Sequence, residues 1–115
     1  MIRDEKTFLA DILNAIESIN RYIEGMDFND FSKDDKTLNA VLRQLEVIGE
    51  ATKRVSDETK NAHPDLPWRA AAGMRDRLIH GYFEIEVEIV WDTVLLSLPS
   101  YKTKIEEILY GEQDS

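Results

Sequence analysis

The stretch Glu84-Ile85-Glu86-Val87-Glu88-Ile89-Val90-Trp91-Asp92-Thr93-Val94-Leu95-Leu96-Ser97-Leu98 decides the fold class. Its first residues alternate acid with β-branched apolar side chain, the period of a strand. From Val90 onward the apolar positions Val90, Trp91, Val94, Leu95 and Leu98 follow helical spacing instead. A strand needs a partner, and the remainder of the chain shows helical patterns only. The segment Glu84 to Leu98 is therefore read as helix. Pro99 ends or kinks it, because proline has no amide hydrogen and its ring crowds the preceding turn. Ser100 to Tyr110 then forms a short last helix carrying Ile105, Ile108 and Leu109.

Working outward, Phe8, Leu9, Ile12, Leu13, Ile16, Ile19 and Ile23 mark one helical stripe between Asp4 and about Glu24. Gly25 offers a stop. Met26 to Phe31 reads as a loop, and Ser32 with Asp35 resembles a capping box that opens a second long helix. Leu38, Val41, Leu42, Leu45, Ile48 and Val55 share a face of that helix. Gly49 lies inside it, where glycine costs about 1 kcal/mol relative to alanine, so close approach of a neighbouring helix is expected there. The prolines of His63-Pro64-Asp65-Leu66-Pro67 enforce an extended connection, with Pro67 suited to the first turn of a third helix. That helix is expected from Trp68 to about His80, closed by Gly81. The whole is an all-α antiparallel bundle of about four to five helices in a single domain, residues 1–115.

The chain has 115 residues and no cysteine, which excludes a disulfide framework, a thiolate nucleophile and a cysteine zinc site. Its two histidines, His63 and His80, make no zinc spacing, so neither a metal nor a cofactor is expected. The apolar runs fall short of the roughly 18–20 residues of a membrane span, and the N-terminus shows no signal-peptide pattern. A cytoplasmic protein with no membrane partner is expected. A net charge of −9 argues against broad attachment to nucleic acid. Between Lys60 and Tyr82, however, four basic residues face two acidic ones, leaving that segment at +2 and the rest at −11. Contact with an anionic partner is expected there.

The chemistry concentrates in Gly73-Met74-Arg75-Asp76-Arg77-Leu78-Ile79-His80-Gly81-Tyr82-Phe83. Arginine offers a permanent forked donor array for phosphate oxygens, and histidine exchanges a proton near neutral pH. The pair suits cleavage of RNA without a metal, in which a base deprotonates the ribose 2′-hydroxyl and a cation stabilises the phosphoryl oxygens. On an ideal helix Asp76 shares a face with His80 and can orient it. Arg75 and His80 diverge on such a helix by roughly 140°, which favours a site completed by unwinding near Gly81 or by a second copy. Local pattern alone favours a helix cap or ion pair at His80, a half-buried aromatic at Tyr82 and solvated charges at Arg69 and Arg77.

The string Arg75-Asp76-Arg77-Leu78-Ile79-His80-Gly81-Tyr82 resembles the signature of HepT-like toxins, a branch of the HEPN ribonuclease superfamily. Ile48-Gly49-Glu50-Ala51, Pro67-Trp68-Arg69, Gly73-Met74, Val90-Trp91 and Leu98-Pro99 extend the resemblance over nearly the whole chain. The resemblance implies a homodimeric HEPN-like bundle and a metal-independent endoribonuclease toxin of a type II toxin-antitoxin pair. Arg75 and His80 of both subunits would line a shared cleft, with Arg69 and Arg77 as RNA contacts. It also implies a nucleotidyltransferase antitoxin of the MNT type that transfers AMP to Tyr82. Asp76 departs from the family pattern, where a neutral polar residue is common. An ion pair with His80 or Arg77 would turn its charge from repelling RNA to supporting the base. The alternative is a non-catalytic HEPN-like binding subunit of a two-component nucleotidyltransferase. An unrelated helical interaction module leaves the Arg75 to Tyr82 string without explanation.

Overall fold

The computed structural model describes residues 3–73, 79–80 and 84–111, with 3, 79–80 and 84–85 as backbone only. In chain order these form α1 (Arg3–Tyr22), α2 (Phe28–Lys33), α3 (Asp35–Arg54), α4 (Asp57–Ala62), α5 (Trp68–Ala72), β1 (Ile79–His80), β2 (Glu84–Ile85), α6 (Val87–Asp92), a π turn (Thr93–Ser97) and α7 (Leu98–Gly111). The architecture is all-α. The last three pieces run on as one rod, so six helical segments stand among the described residues. The only extended pairing among them is the two-residue β1–β2 ladder.

α1 and α3 form the main layer, with α7 packed on α1 and α5 on α3. The apolar stripe read on α1 faces inward, and Leu9, Ile12, Ile16 and Ile19 are sealed from solvent. Val41, Leu45 and Ile48 of α3 and Ile105 and Ile108 of α7 complete this centre. Burying each such aliphatic side chain stabilises by about 1.5–3 kcal/mol. Two polar ties show that α1 and α3 are antiparallel. The buried Glu5 carboxylate accepts from the Ser56 N–H, just past the end of α3, at 2.9 Å. Near the other end of α1, the Tyr22 hydroxyl accepts from Gln44 Nε2 at 3.4 Å.

Gly25 carries φ +79°, the left-handed conformation that turns the chain away from α1. The expected loop over Met26 to Phe31 is instead mostly α2. Asp27 and Asp30 bond reciprocally to each other's backbone N–H groups, which makes the capping box here rather than at Ser32. Ser32 donates to the Asn29 carbonyl, and α3 is capped by Asp34, which accepts from the Thr37 N–H at 3.0 Å. Tertiary packing supports the short α2, because Phe31 is sealed in the core with its ring centroid 4.9 Å from that of Trp91.

Pro99 does not end the last helix. Upstream of it the backbone widens into the π turn, whose Leu98 N–H bonds to the Thr93 carbonyl five residues back. This loosened turn accommodates a residue that cannot donate and whose ring crowds the carbonyl four positions earlier. Val90, Val94 and Leu98 remain buried, while Leu95, placed by helical spacing on the same stripe, is 46% exposed.

Candidate functional site

The chain enters the Arg75 to Tyr82 stretch from α5 and leaves it into β2. α5 has only five residues, too few to be stable alone, so its position is set by what it touches. Pro67 is its N-cap residue. The Trp68 indole N–H donates to the His63 carbonyl at 2.9 Å, tying the helix to the end of α4. The Trp68 ring meets Tyr101 of α7 edge-on at 6.2 Å, and the Tyr101 hydroxyl lies 2.9 Å from that of Thr52 on α3. Lys104 of α7 donates to the Asp65 carbonyl at 3.1 Å, holding the connection that precedes α5. At the far end α5 crosses α3 at Gly49, where a β-carbon would lie 3.3 Å from the Ala72 carbonyl oxygen. The close helix approach expected at Gly49 is therefore present.

The unbroken helix expected from Trp68 to His80 does not form. α5 stops at Ala72, where the Gly73 N–H turns back to the Arg69 carbonyl at 3.0 Å. His80 lies on β1, whose antiparallel register pairs Ile79 with Ile85 and His80 with Glu84. The alternation at Glu84 and Ile85 thus marks a strand after all, and its partner lies in the segment expected to be helix. β-Branched Ile79 and Ile85, directly opposed, suit extended backbone. The same-face relation of Asp76 to His80 and the angular offset of Arg75 from His80 presuppose a helix through His80, and both rest on residues outside those described. Glu84, opposite His80 in the register, is not among the residues singled out from sequence, although its place in the alternating run is the available signal.

Arg75, Asp76, Arg77 and Tyr82 lie outside the described residues, and His80 is described by its backbone. Arg69 is exposed on α5, available to a ligand. Trp68 is 9% exposed, so its indole serves packing and is not open for stacking on a base. His63 closes α4 as its C-cap residue. Among the described residues no group of three histidine or acidic side chains is placed to hold a metal ion. No helix among them is long and apolar enough to cross a membrane.

A groove of about 290 Å³ opens between α1 and α3, lined by Phe8, Asp11, Arg43, Glu46, Val47, Glu50, Ala51 and Arg54. It contains none of the candidate site residues Arg69, Arg75, Asp76, Arg77, His80 and Tyr82. Three carboxylates outnumber two guanidiniums in its wall, the opposite of what a phosphate backbone requires. One of its arginines, Arg54, stands over the Phe8 ring with its guanidinium carbon 5.9 Å from the ring centroid.

The comparisons with known proteins agree with the motif. Residues 12–108 match the family model described as ribonuclease HepT-like. A protein of Thermococcus cleftensis named "Probable ribonuclease HepT" is 46% identical over 108 residues, covering 94% of this chain and 98% of the relative. "Putative RNase MJ0127" of Methanocaldococcus jannaschii is 45% identical, covering 93% of this chain and 88% of the relative. "Putative RNase TTE0752" of Caldanaerobacter subterraneus subsp. tengcongensis is 38% identical over 97% of this chain and all of the relative. No solved structure matches the chain. With one family model spanning the helical frame and the Arg75 to Tyr82 string alike, the chain belongs to the HepT-like ribonuclease family.

Proposed function

We propose that this chain, an endoribonuclease by its family and its relatives' names, is the toxin of a type II toxin-antitoxin pair and cleaves RNA with Arg75 and His80. In this reading residues 1–115 act as one HEPN-like domain, and the domain works as a homodimer. His80 removes the proton of a ribose 2′-hydroxyl, and the resulting oxygen attacks the adjacent phosphorus. The bond to the 5′-oxygen breaks, that oxygen is protonated, and the products are a 2′,3′-cyclic phosphate and a free 5′-hydroxyl. Arg75 stabilises the charge that develops on the non-bridging oxygens. Asp76 supports His80 or Arg77 by ion pairing, and Arg69 and Arg77 hold flanking phosphates. No metal or cofactor takes part. A nucleotidyltransferase antitoxin neutralises the toxin by transferring AMP to the Tyr82 phenol, which places added phosphates against incoming RNA.

The observation that carries this reading is the family match across residues 12–108, a span that includes Arg75, His80 and Tyr82. The dimer is supported by that resemblance alone. The test is cleavage of total RNA and tRNA in EDTA by protein shown by intact mass to be unmodified. Arg75→Ala and His80→Ala should each lower cleavage by about 10²–10³-fold. Cleavage that requires a divalent metal, or that survives both substitutions, would refute the assignment. A folded, unmodified dimer with no activity would leave the binding-subunit role in its place.

A further inference from the structure

We propose that Gly49, on a helix that carries none of the candidate catalytic residues, is a positioning residue for RNA cleavage. It sets where α5 ends and hence where the chain starts toward Arg75. This inference rests on the reading of Arg75 and His80 as the catalytic pair.

Gly49 lies within α3, next to the buried Ile48 and more than a turn before the helix ends at Arg54. A glycine there weakens the helix, and alanine would be the better residue by helix propensity alone. The structure supplies the opposing reason. A β-carbon at Gly49 would lie 3.3 Å from the Ala72 carbonyl oxygen and 3.5 Å from that of Ala71. Both obstructing atoms are backbone, so neither can rotate aside as a side-chain tip would. Relief requires α5 itself to shift by a few tenths of an ångström.

α5 has little freedom to absorb such a shift elsewhere. Ala71 is 2% exposed against the core, and Trp68 at the other end is bonded to the His63 carbonyl and packed on Tyr101. The end of α5 that moves is the end nearest the motif. Ala72 is its last residue, Gly73 closes it, and Arg75 follows two positions later in sequence. Transition-state stabilisation depends steeply on placement, a displacement of 1 Å costing about 10²-fold in rate. A shift of a few tenths of an ångström therefore corresponds to about 3- to 10-fold in kcat.

Gly49→Ala separates this role from a structural one because a structural role lowers only the folded fraction, whereas a positioning role lowers kcat in the folded enzyme. Helix propensity favours the variant by about 1 kcal/mol and the forced shift of α5 opposes it, so its Tm should stay within a few degrees of the wild type. Its kcat should fall by about 3- to 10-fold with KM held within about twofold, and Gly49→Ser should fall further. Lys53→Ala, on the solvent side of the same helix, should retain wild-type kcat. Should Gly49→Ala not fold, Trp68→Phe, which frees the other end of α5 by deleting the indole N–H bond to the His63 carbonyl, should likewise lower kcat in the folded enzyme, here with a lower Tm. Wild-type kcat in the folded Gly49 variant would overturn the proposal, as would a loss matched by the fraction unfolded. Arg75→Ala and His80→Ala, assayed alongside, separate the two levels. If both remain active, the catalytic assignment fails and this inference with it. If both are inactive while Gly49→Ala is unimpaired, only the positioning role fails.

Discussion

The hydroxyls of Thr52 and Tyr101 lie 2.9 Å apart in the core, joining α3 to α7 behind the Trp68 ring that fixes α5. Thr52 has no solvent exposure and Tyr101 only 3%, so each is the other's replacement for water. Tyr101→Phe leaves the Thr52 hydroxyl buried without that partner, at a cost of about 1–2 kcal/mol. Thermal unfolding should show a Tm lower by about 3–8 °C. Adding Thr52→Val should restore much of the loss, since an apolar pair leaves no orphaned group. A single variant as stable as wild type would show that the bond contributes nothing net.

The same residue governs alkaline behaviour. Burial pushes the Tyr101 phenol up from 10.0 to about 12, partly opposed by the Thr52 hydrogen bond. Below pH 10 folded and unfolded chains both keep the proton, and stability is unaffected. Between about pH 10 and 12 the unfolded chain ionises first, so stability falls as pH rises, by up to about 2–3 kcal/mol from this group. Denaturation monitored across that range should show a steeper loss for wild type than for Tyr101→Phe. Parallel curves would mean that the phenolate is tolerated in place.

Acid should act through Asp34. Hydrogen bonds from the Thr37 backbone N–H and hydroxyl hold its carboxyl below the usual 3.8. The stabilisation is therefore fully present above pH 3.8 and is lost as pH falls through the lowered folded value. Asp34→Ala should have a lower Tm than wild type at neutral pH, Asp34→Asn should lie closer to wild type, and the gap to alanine should shrink in strong acid. A gap independent of pH would point to lost packing instead of a lost charge-assisted cap.

Arg69 offers a test of RNA contact that does not involve the proposed catalytic pair. It stands exposed on α5, upstream of Arg75 in sequence. If it neutralises one phosphate, Arg69→Ala should raise KM by about 3- to 10-fold, leave kcat unchanged and reduce the salt slope of binding by about one. An unchanged salt slope would place Arg69 outside the RNA path.

Much of the frame is legible in one sequence because helical burial repeats with a regular period. The stripes on α1 and α3, the turn at Gly25, the packing role of Trp91 and the close approach at Gly49 all follow from spacing and from the steric character of glycine. The errors fall where short elements depend on remote neighbours. α2 is stabilised by Phe31 packing on Trp91, far downstream in the chain, and the Asp27–Asp30 box can be seen only once that helix is recognised. The alternation at Glu84 and Ile85 is visible, but its partner at Ile79 and His80 is hidden inside a segment whose local pattern reads as helix.

The sequence by itself determined the all-α class, the antiparallel helical frame and the arginine, histidine and tyrosine of the motif, because periodicity and residue chemistry are local properties. Only the tertiary structure decided that α5 stops at Ala72, that His80 lies on a strand and that the chain passes Pro99 through a π turn. A five-residue helix and a two-residue ladder have too few internal hydrogen bonds to offset their own conformational entropy. Gly49 against Ala72, Tyr101 against Trp68 and the pairing of Ile79 with Ile85 join residues that no local window contains.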